Sequence, residues 1–188
     1  MIDPNTAPIP VELVPHKPEW RQRAASEIRS LKVALGERLL IVHHIGSTSV
    51  PGILAKPIVD LLPVVRDCAA LDEIEPDVRA LGYDWMGEFG LPGRRYCRLH
   101  NPLTGKREVQ LHFYAPGNPE IPRHIAFRDY LRTNPAIAKA YEAEKVRAAS
   151  LQPFDTQAYN AEKNCWIKRT QADALAWAGI VTPVPKVP

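Results

Sequence analysis

No stretch of this chain is apolar for long enough to span a membrane, and a net charge of +3 is too small to mark a nucleic-acid-binding face. Aromatic residues make up only 7% of the chain, with no sign of a stacking platform for single strands. Cysteine is scarce: Cys68, Cys97 and Cys165 are odd in number, widely spaced and without a Cys-x-x-Cys pair. That argues against a disulfide framework or a thiolate zinc site, and predicts three buried packing residues in a reducing cytoplasm. Met1 to Pro10 has neither a basic start nor a long apolar run, so a secretion signal is not expected.

What is plentiful is ordinary core and ordinary surface. The chain has 188 residues, 45% hydrophobic and 24% charged, the balance of a globular protein with a sizeable core. Four prolines fall within Met1 to Pro15 and more crowd the end, so an extended arm over 1–15 and a proline-rich tail over 180–188 should flank a single domain over 16–179.

Trp20, Ala24, Ile28, Leu31 and Leu35 recur at helical spacing, which predicts a helix over 18–36, opened by Pro18 and closed by Gly36. Leu39–Val42 and Ile58–Val65 have the look of buried strands. Asp67 suits the cap of a helix over 68–81, broken or kinked at Pro76. Tyr83–Met86 is a short strand, and 94–100 and 106–114 form a hairpin about Asn101–Gly105. Alternation puts Glu108, Gln110 and His112 on one face of the second hairpin strand. Helices over 119–133, 135–150 and 155–179 complete an α+β (mixed α/β) chain with a helical C-terminal half. The tryptophans Trp20, Trp85, Trp166 and Trp177 are expected in the core.

Chemistry gathers where the first strand stops. His44-Ile45-Gly46-Ser47-Thr48-Ser49-Val50-Pro51-Gly52 offers a glycine for close approach, three hydroxyls and a run of free amides, a combination that can hold an anion. The next strand carries one carboxylate, Asp60, among aliphatic neighbours. Such a charge is costly to bury unless it is paired or holds a metal. A structural alternative exists for each: Asp60 as a latch on the loop amides, Ser47 as an ordinary helix cap, His112 as a satisfied strand histidine. His44 can hydrogen-bond the loop, and Glu108 can stand in for a missing carboxylate or lie solvated at the hairpin end. Lys56, Arg94, Arg95, Arg128, Arg132 and Lys163 suit anionic oxygens; Arg128 and Arg132 share a helix face and could equally pair with Asp129 or Glu142.

These stretches resemble the GrpB family, a branch of the nucleotidyltransferase-fold superfamily. The matching residues are His44–Gly52, Lys56-Pro-Ile-Val-Asp60, Gly90-Leu-Pro-Gly-Arg-Arg-Tyr96, Gln110-Leu-His112, Phe127-Arg-Asp-Tyr-Leu-Arg132, and Tyr159 with Lys163. The resemblance implies a small mixed sheet flanked by helices with the Gly46-Ser47 loop over substrate phosphates. It also implies kinship with a domain fused to some dephospho-CoA kinases. Active enzymes of this fold carry a second carboxylate two residues after the first, where this chain has Leu62, and the family usually shows His-Leu-His where Gln110 begins the motif here.

The expected function is metal-dependent nucleotidyl or phosphoryl transfer to a small-molecule acceptor. Gly46, Ser47, Thr48 and Ser49 would hold a nucleoside triphosphate, Asp60 and His112 would be the catalytic and Mg²⁺-binding pair, and Arg95, Arg128 and Lys163 would neutralise developing charge. The alternative is a non-catalytic nucleotide- or anion-binding module, which Leu62 and Gln110 favour. A membrane partner is not expected, nucleic acid is disfavoured, and the oligomeric state is left open.

Overall fold

A computed structural model describes residues 10–180, so most of the expected arm and nearly all of the expected tail lie outside the described residues. Its elements are α1 (Glu19–Leu35), β1 (Leu39–Ile45), β2 (Val59–Val65), α2 (Cys68–Asp72), α3 (Glu75–Ala80), β3 (Asp84–Trp85), β4 (Arg95–His100), β5 (Arg107–Phe113), α4 (Glu120–Thr133), α5 (Pro135–Leu151), α6 (Thr156–Glu162) and α7 (Asn164–Trp177). The strands lie in the order β1-β2-β5-β4-β3, with β2 and β5 parallel and every other pair antiparallel. This is the mixed α/β sheet expected from the sequence, with its helical C-terminal half.

Alternation along the strands gives the sheet two unlike faces. Val59, Leu61 and Val65 of β2 and Val109, Leu111 and Phe113 of β5 pack with Trp20, Ala24, Leu31 and Leu35 of α1, which recur at helical spacing because one stripe of that helix faces the sheet. The opposite face is apolar only near one end, where Ile45, Leu62, Val64 and Tyr114 cluster. Its middle is polar: register places Ile45, Asp60, Gln110 and Arg98 abreast across four strands. Val50 and Ile53, from the segment after β1, bury themselves with Leu131, Ala138 and Tyr141 and so tie that segment to the helical half.

Several expectations change. β1 is the sheet edge, with Leu40 and Ile41 exposed, because it pairs only with β2. The helix expected over 68–81 is broken beside Pro76, as expected, into two short helices, and Pro76 lies in the first turn of the second, where a missing N–H costs nothing. The helix expected over 155–179 is also two, parted at Lys163, whose N–H turns back to the Ala161 carbonyl. Residues 10–15 are pinned to the body, since Val11 donates to the Pro153 carbonyl and Val14 bridges Ala55. Cys68 and Cys97 are buried as expected, but Cys165 is exposed. Trp20 is buried, whereas Trp177 lies half exposed against Tyr130 at the end of α7.

Candidate functional site

Gly46 leaves β1 at φ +70°, a conformation that suits a residue without Cβ. A Cβ built there would come 2.4 Å from Asp60 Oδ2, so the glycine lets the main chain lie directly against that carboxylate. Ser47–Ser49 then form one 3₁₀ turn, closed by Ser49 N–H and Ser49 Oγ on the Gly46 carbonyl and by Val50 N–H on the Ser47 carbonyl. Ser47 Oγ donates to the Tyr141 hydroxyl at 3.2 Å. Asp60 and Ser47 thus line one cavity of about 190 Å³, together with Gly46, Lys56, Gln110, Tyr141, Lys145, Tyr159, Asn160 and Lys163.

The cations of this cavity come from three separate elements. Lys145 follows Tyr141 by one turn of α5, and its Nζ lies 4.6 Å from that ring's centre while donating to the Leu54 carbonyl. Lys163 repeats the spacing at the break after α6, 4.3 Å above Tyr159, and Lys56 reaches the same ring at 5.1 Å. Glu142 holds Lys56's own segment in place by accepting the Leu54 N–H at 2.5 Å. Burial, then the charges of Lys56 and Lys145, pull Lys163 down to about 7. Burial alone outweighs Glu142 in bringing Lys145 to about 8, and burial also lowers Lys56. Three amines share one cavity with a single carboxylate, and an entering anion would favour their charged forms.

Behind Asp60 the polar face continues as a row of rings. His112 Nε2 lies 3.5 Å from Asp60 Oδ1, and its ring sits between Tyr96 at 5.2 Å and His124 at 5.8 Å. Burial holds His124 well below the ordinary histidine range, so it is neutral there. The Tyr96 hydroxyl donates to Gln110 Oε1 at 2.7 Å, which leaves the Gln110 amide NH₂ as a donor beside Asp60.

Of the residues singled out from sequence, Gly46, Ser47, Lys56, Asp60, Gln110, Tyr159 and Lys163 line the cavity, and His112 stands just behind it. The others do not. Thr48 bonds His44, and Thr48 and Ser49 line a separate hollow on the other side of the turn, with Arg132. Arg128 is taken up by both carboxylate oxygens of Asp129 and by the His44 carbonyl. Arg94 bonds the carbonyls of Glu88 and Phe89, and Arg95 forms a bidentate pair with Asp72 on the α2 side of the sheet. Glu108 leaves the expected face to meet Arg23 of α1 and Asn101, beside a register shift at Leu99/His100. Lys145, Tyr141 and Asn160 were missed. The signal for Lys145 was present: Tyr141-x-x-x-Lys145 repeats the spacing of Tyr159-x-x-x-Lys163.

The donor set does not fit a two-metal centre. Among the described residues Asp60 is the one carboxylate lining the cavity, Leu62 fills the second carboxylate position from within an apolar cluster, and three lysine amines crowd the space. Among the described residues no three His, Cys, Asp or Glu side chains gather in a metal-holding group.

Residues 10–173 match the family model described as GrpB protein. The UPF0157 protein YqkA of Bacillus subtilis is 39% identical over 167 residues, 89% of this chain and 48% of that protein. A dephospho-CoA kinase of Mycolicibacterium paratuberculosis is 30% identical over 90% of this chain and 47% of its own length. The chain therefore spans about half the length of these two relatives. A crystal structure of GrpB from Enterococcus faecalis has 41% identity and a TM-score of 0.84, covering 89% of this chain and 99% of that one. A distant likeness to the Cid1 poly(U) polymerase, at 11% identity and a TM-score of 0.48 over 70% of this chain and 45% of that one, is too loose to bear on function. Among the described residues no helix is long and apolar enough to cross a membrane. With the family model matched along nearly the whole described chain and a solved member superposing closely on its fold, the chain belongs to the GrpB family.

Proposed function

We propose that this domain binds the phosphate groups of a nucleotide, or of a similar phosphorylated small molecule, in the cavity between the Ser47 turn and Lys56, Lys145 and Lys163. The convergence of three lysines from separate elements on a cavity holding a single carboxylate is the observation that carries this. The lysines take over the neutralising role that a metal pair plays elsewhere, and the Gln110 amide and the hydroxyls of Ser47 and Tyr141 supply further polar contacts. Titration calorimetry with ATP, CTP, GTP and tripolyphosphate, with and without Mg²⁺, tests it. Binding without Mg²⁺ that weakens about tenfold or more in Lys163→Met is the expected result. No heat from any of these at millimolar concentration overturns the proposal.

A second, catalytic reading is favoured by Asp60 in the cavity with His112 just behind it. In a nucleotidyl transfer, an acceptor hydroxyl would pass its proton to Asp60 while its oxygen attacks the α-phosphorus, and pyrophosphate would leave as the bond to its bridging oxygen breaks. The lysines would stabilise charge on the transferring group. Asp60→Asn should then abolish turnover and leave nucleotide affinity nearly unchanged. If wild-type protein and a panel of small hydroxylic acceptors release no pyrophosphate, the domain binds without turning over.

A further inference from the structure

The turn that closes the lysine cavity has a second side, and it faces a second, larger hollow of about 580 Å³. Ala24, Ala25 and Ile28 of α1 and Pro51 give it an apolar lining. His16, Arg21, His44, Thr48, Ser49 and Arg132 supply the polar groups. No residue lines both spaces. His44 pairs with Leu61, on the α1 face of the sheet, while Asp60 and Gln110 lie on the other, so the two openings sit back to back.

Charge in this hollow is of one sign. Arg21 is exposed, and its side chain has no ion-pair or hydrogen-bond partner among the described residues. Arg132 gives its Nε–H to the Ser49 carbonyl at 2.8 Å and reaches Asp129 only at 3.7 Å, because that carboxylate is already gripped at 2.7 and 2.9 Å by Arg128. Burial, followed by the Arg128 charge, depresses Arg132, and Arg21 pushes in the same direction. His44 is held at about 4 by burial and adds no charge at neutral pH. His16 packs edge-on against Trp20, and its buried Nδ1 has no hydrogen-bond partner. The volume falls inside the roughly 300–1,000 Å³ span of small-molecule sites, and an apolar floor with a few charged groups at its rim is how such sites are built.

We propose that this hollow is a second ligand site, taking a small anion, carboxylate or phosphate, carried on a compact apolar body. The body rests on Ala24, Ala25 and Ile28, and the anion meets Arg21 and Arg132. Guanidinium forks suit either oxyanion, and the apolar floor separates this ligand from the highly charged phosphates assigned to the lysine cavity.

Amide chemical-shift mapping of the full chain tests it, with benzoate and phenyl phosphate as probes and benzyl alcohol as their uncharged counterpart. At least one anion should shift Ala24, Ala25, Ile28 and Ser49, about tenfold more tightly than benzyl alcohol. Comparison of the two anions tells a carboxylate site from a phosphate site. Arg21→Gln, which breaks no contact of the fold, should weaken binding about three- to tenfold, and Ala25→Leu should fill the floor and abolish it. Lys163→Met should leave it unchanged. Shifts confined to Ser47, Lys56 and Lys163, equal binding of benzyl alcohol, an Arg21→Gln protein that binds as well as wild type, or no shift at 10 mM probe (about the weakest binding worth calling specific) would each overturn the proposal.

Discussion

At the scale of the residue, the site depends on how closely Gly46 and Asp60 approach. Gly46→Ala must place a methyl against Asp60 Oδ2 in a backbone region that disfavours side chains, so it should cost about 2 kcal/mol or more of stability by chemical denaturation. Removing the carboxylate in Asp60→Ala should return part of that loss, since the double-mutant coupling reports the clash itself. The lysines give a second residue-scale expectation. With Lys163 lowered to about 7 and Lys145 to about 8, the cost of holding them charged in the empty cavity is fully felt below those values and fades as pH rises towards the ordinary lysine value of 10.5. The unfolded chain binds more protons over that window, so these two groups make stability rise with pH. A bound phosphate reverses their preference: binding at pH 8 should take up protons, and affinity should fall as pH climbs above 8. Calorimetry in buffers of different ionisation enthalpy measures the uptake, and Lys163→Met should reduce it. Equal heats in all buffers would show that the amines do not titrate with the ligand.

At the scale of the element, α1, β2 and β5 were legible because one physical demand, burial of a single face, sets their patterns. β1 misled because an apolar run such as Leu39–Val42 reads alike at an edge and in a centre; which it is depends on having one partner or two. The parting of α6 from α7 has no proline or glycine to announce it. It appears only in the turn that points Lys163 at the cavity. The hairpin misled in another way: period-2 alternation held at Gln110 and His112 but failed at Glu108, beside the register shift. Arg95 belongs to this scale too, since strand alternation alone assigns it to the α2 face. Arg95→Ala should remove a bidentate pair with the half-exposed Asp72, costing about 1 kcal/mol, and leave nucleotide affinity as it was. A tenfold loss of affinity in that variant would mean that the sheet faces have been assigned wrongly.

At the scale of the whole molecule, two layers meet along one turn: a sheet backed by α1 to α3, and a helical half that brings Lys145 and Lys163 over the polar face. The sheet's share of the site, Gly46, Ser47, Lys56 and Asp60, was readable because its residues lie close together in sequence. The helical share required knowing which face of α5 turns inward, and most of the arginines were misplaced because a guanidinium in a sequence does not reveal that a neighbouring carboxylate or carbonyl has already claimed it. A crystal structure of the protein soaked with ATP tests the central claim most directly. Phosphate oxygens within about 3 Å of the ammonium nitrogens of Lys56, Lys145 and Lys163, with the chain beside Ser47, are predicted. Phosphates bound instead along Arg94, Arg95 and Arg98, with the lysine cavity holding only water, would contradict it.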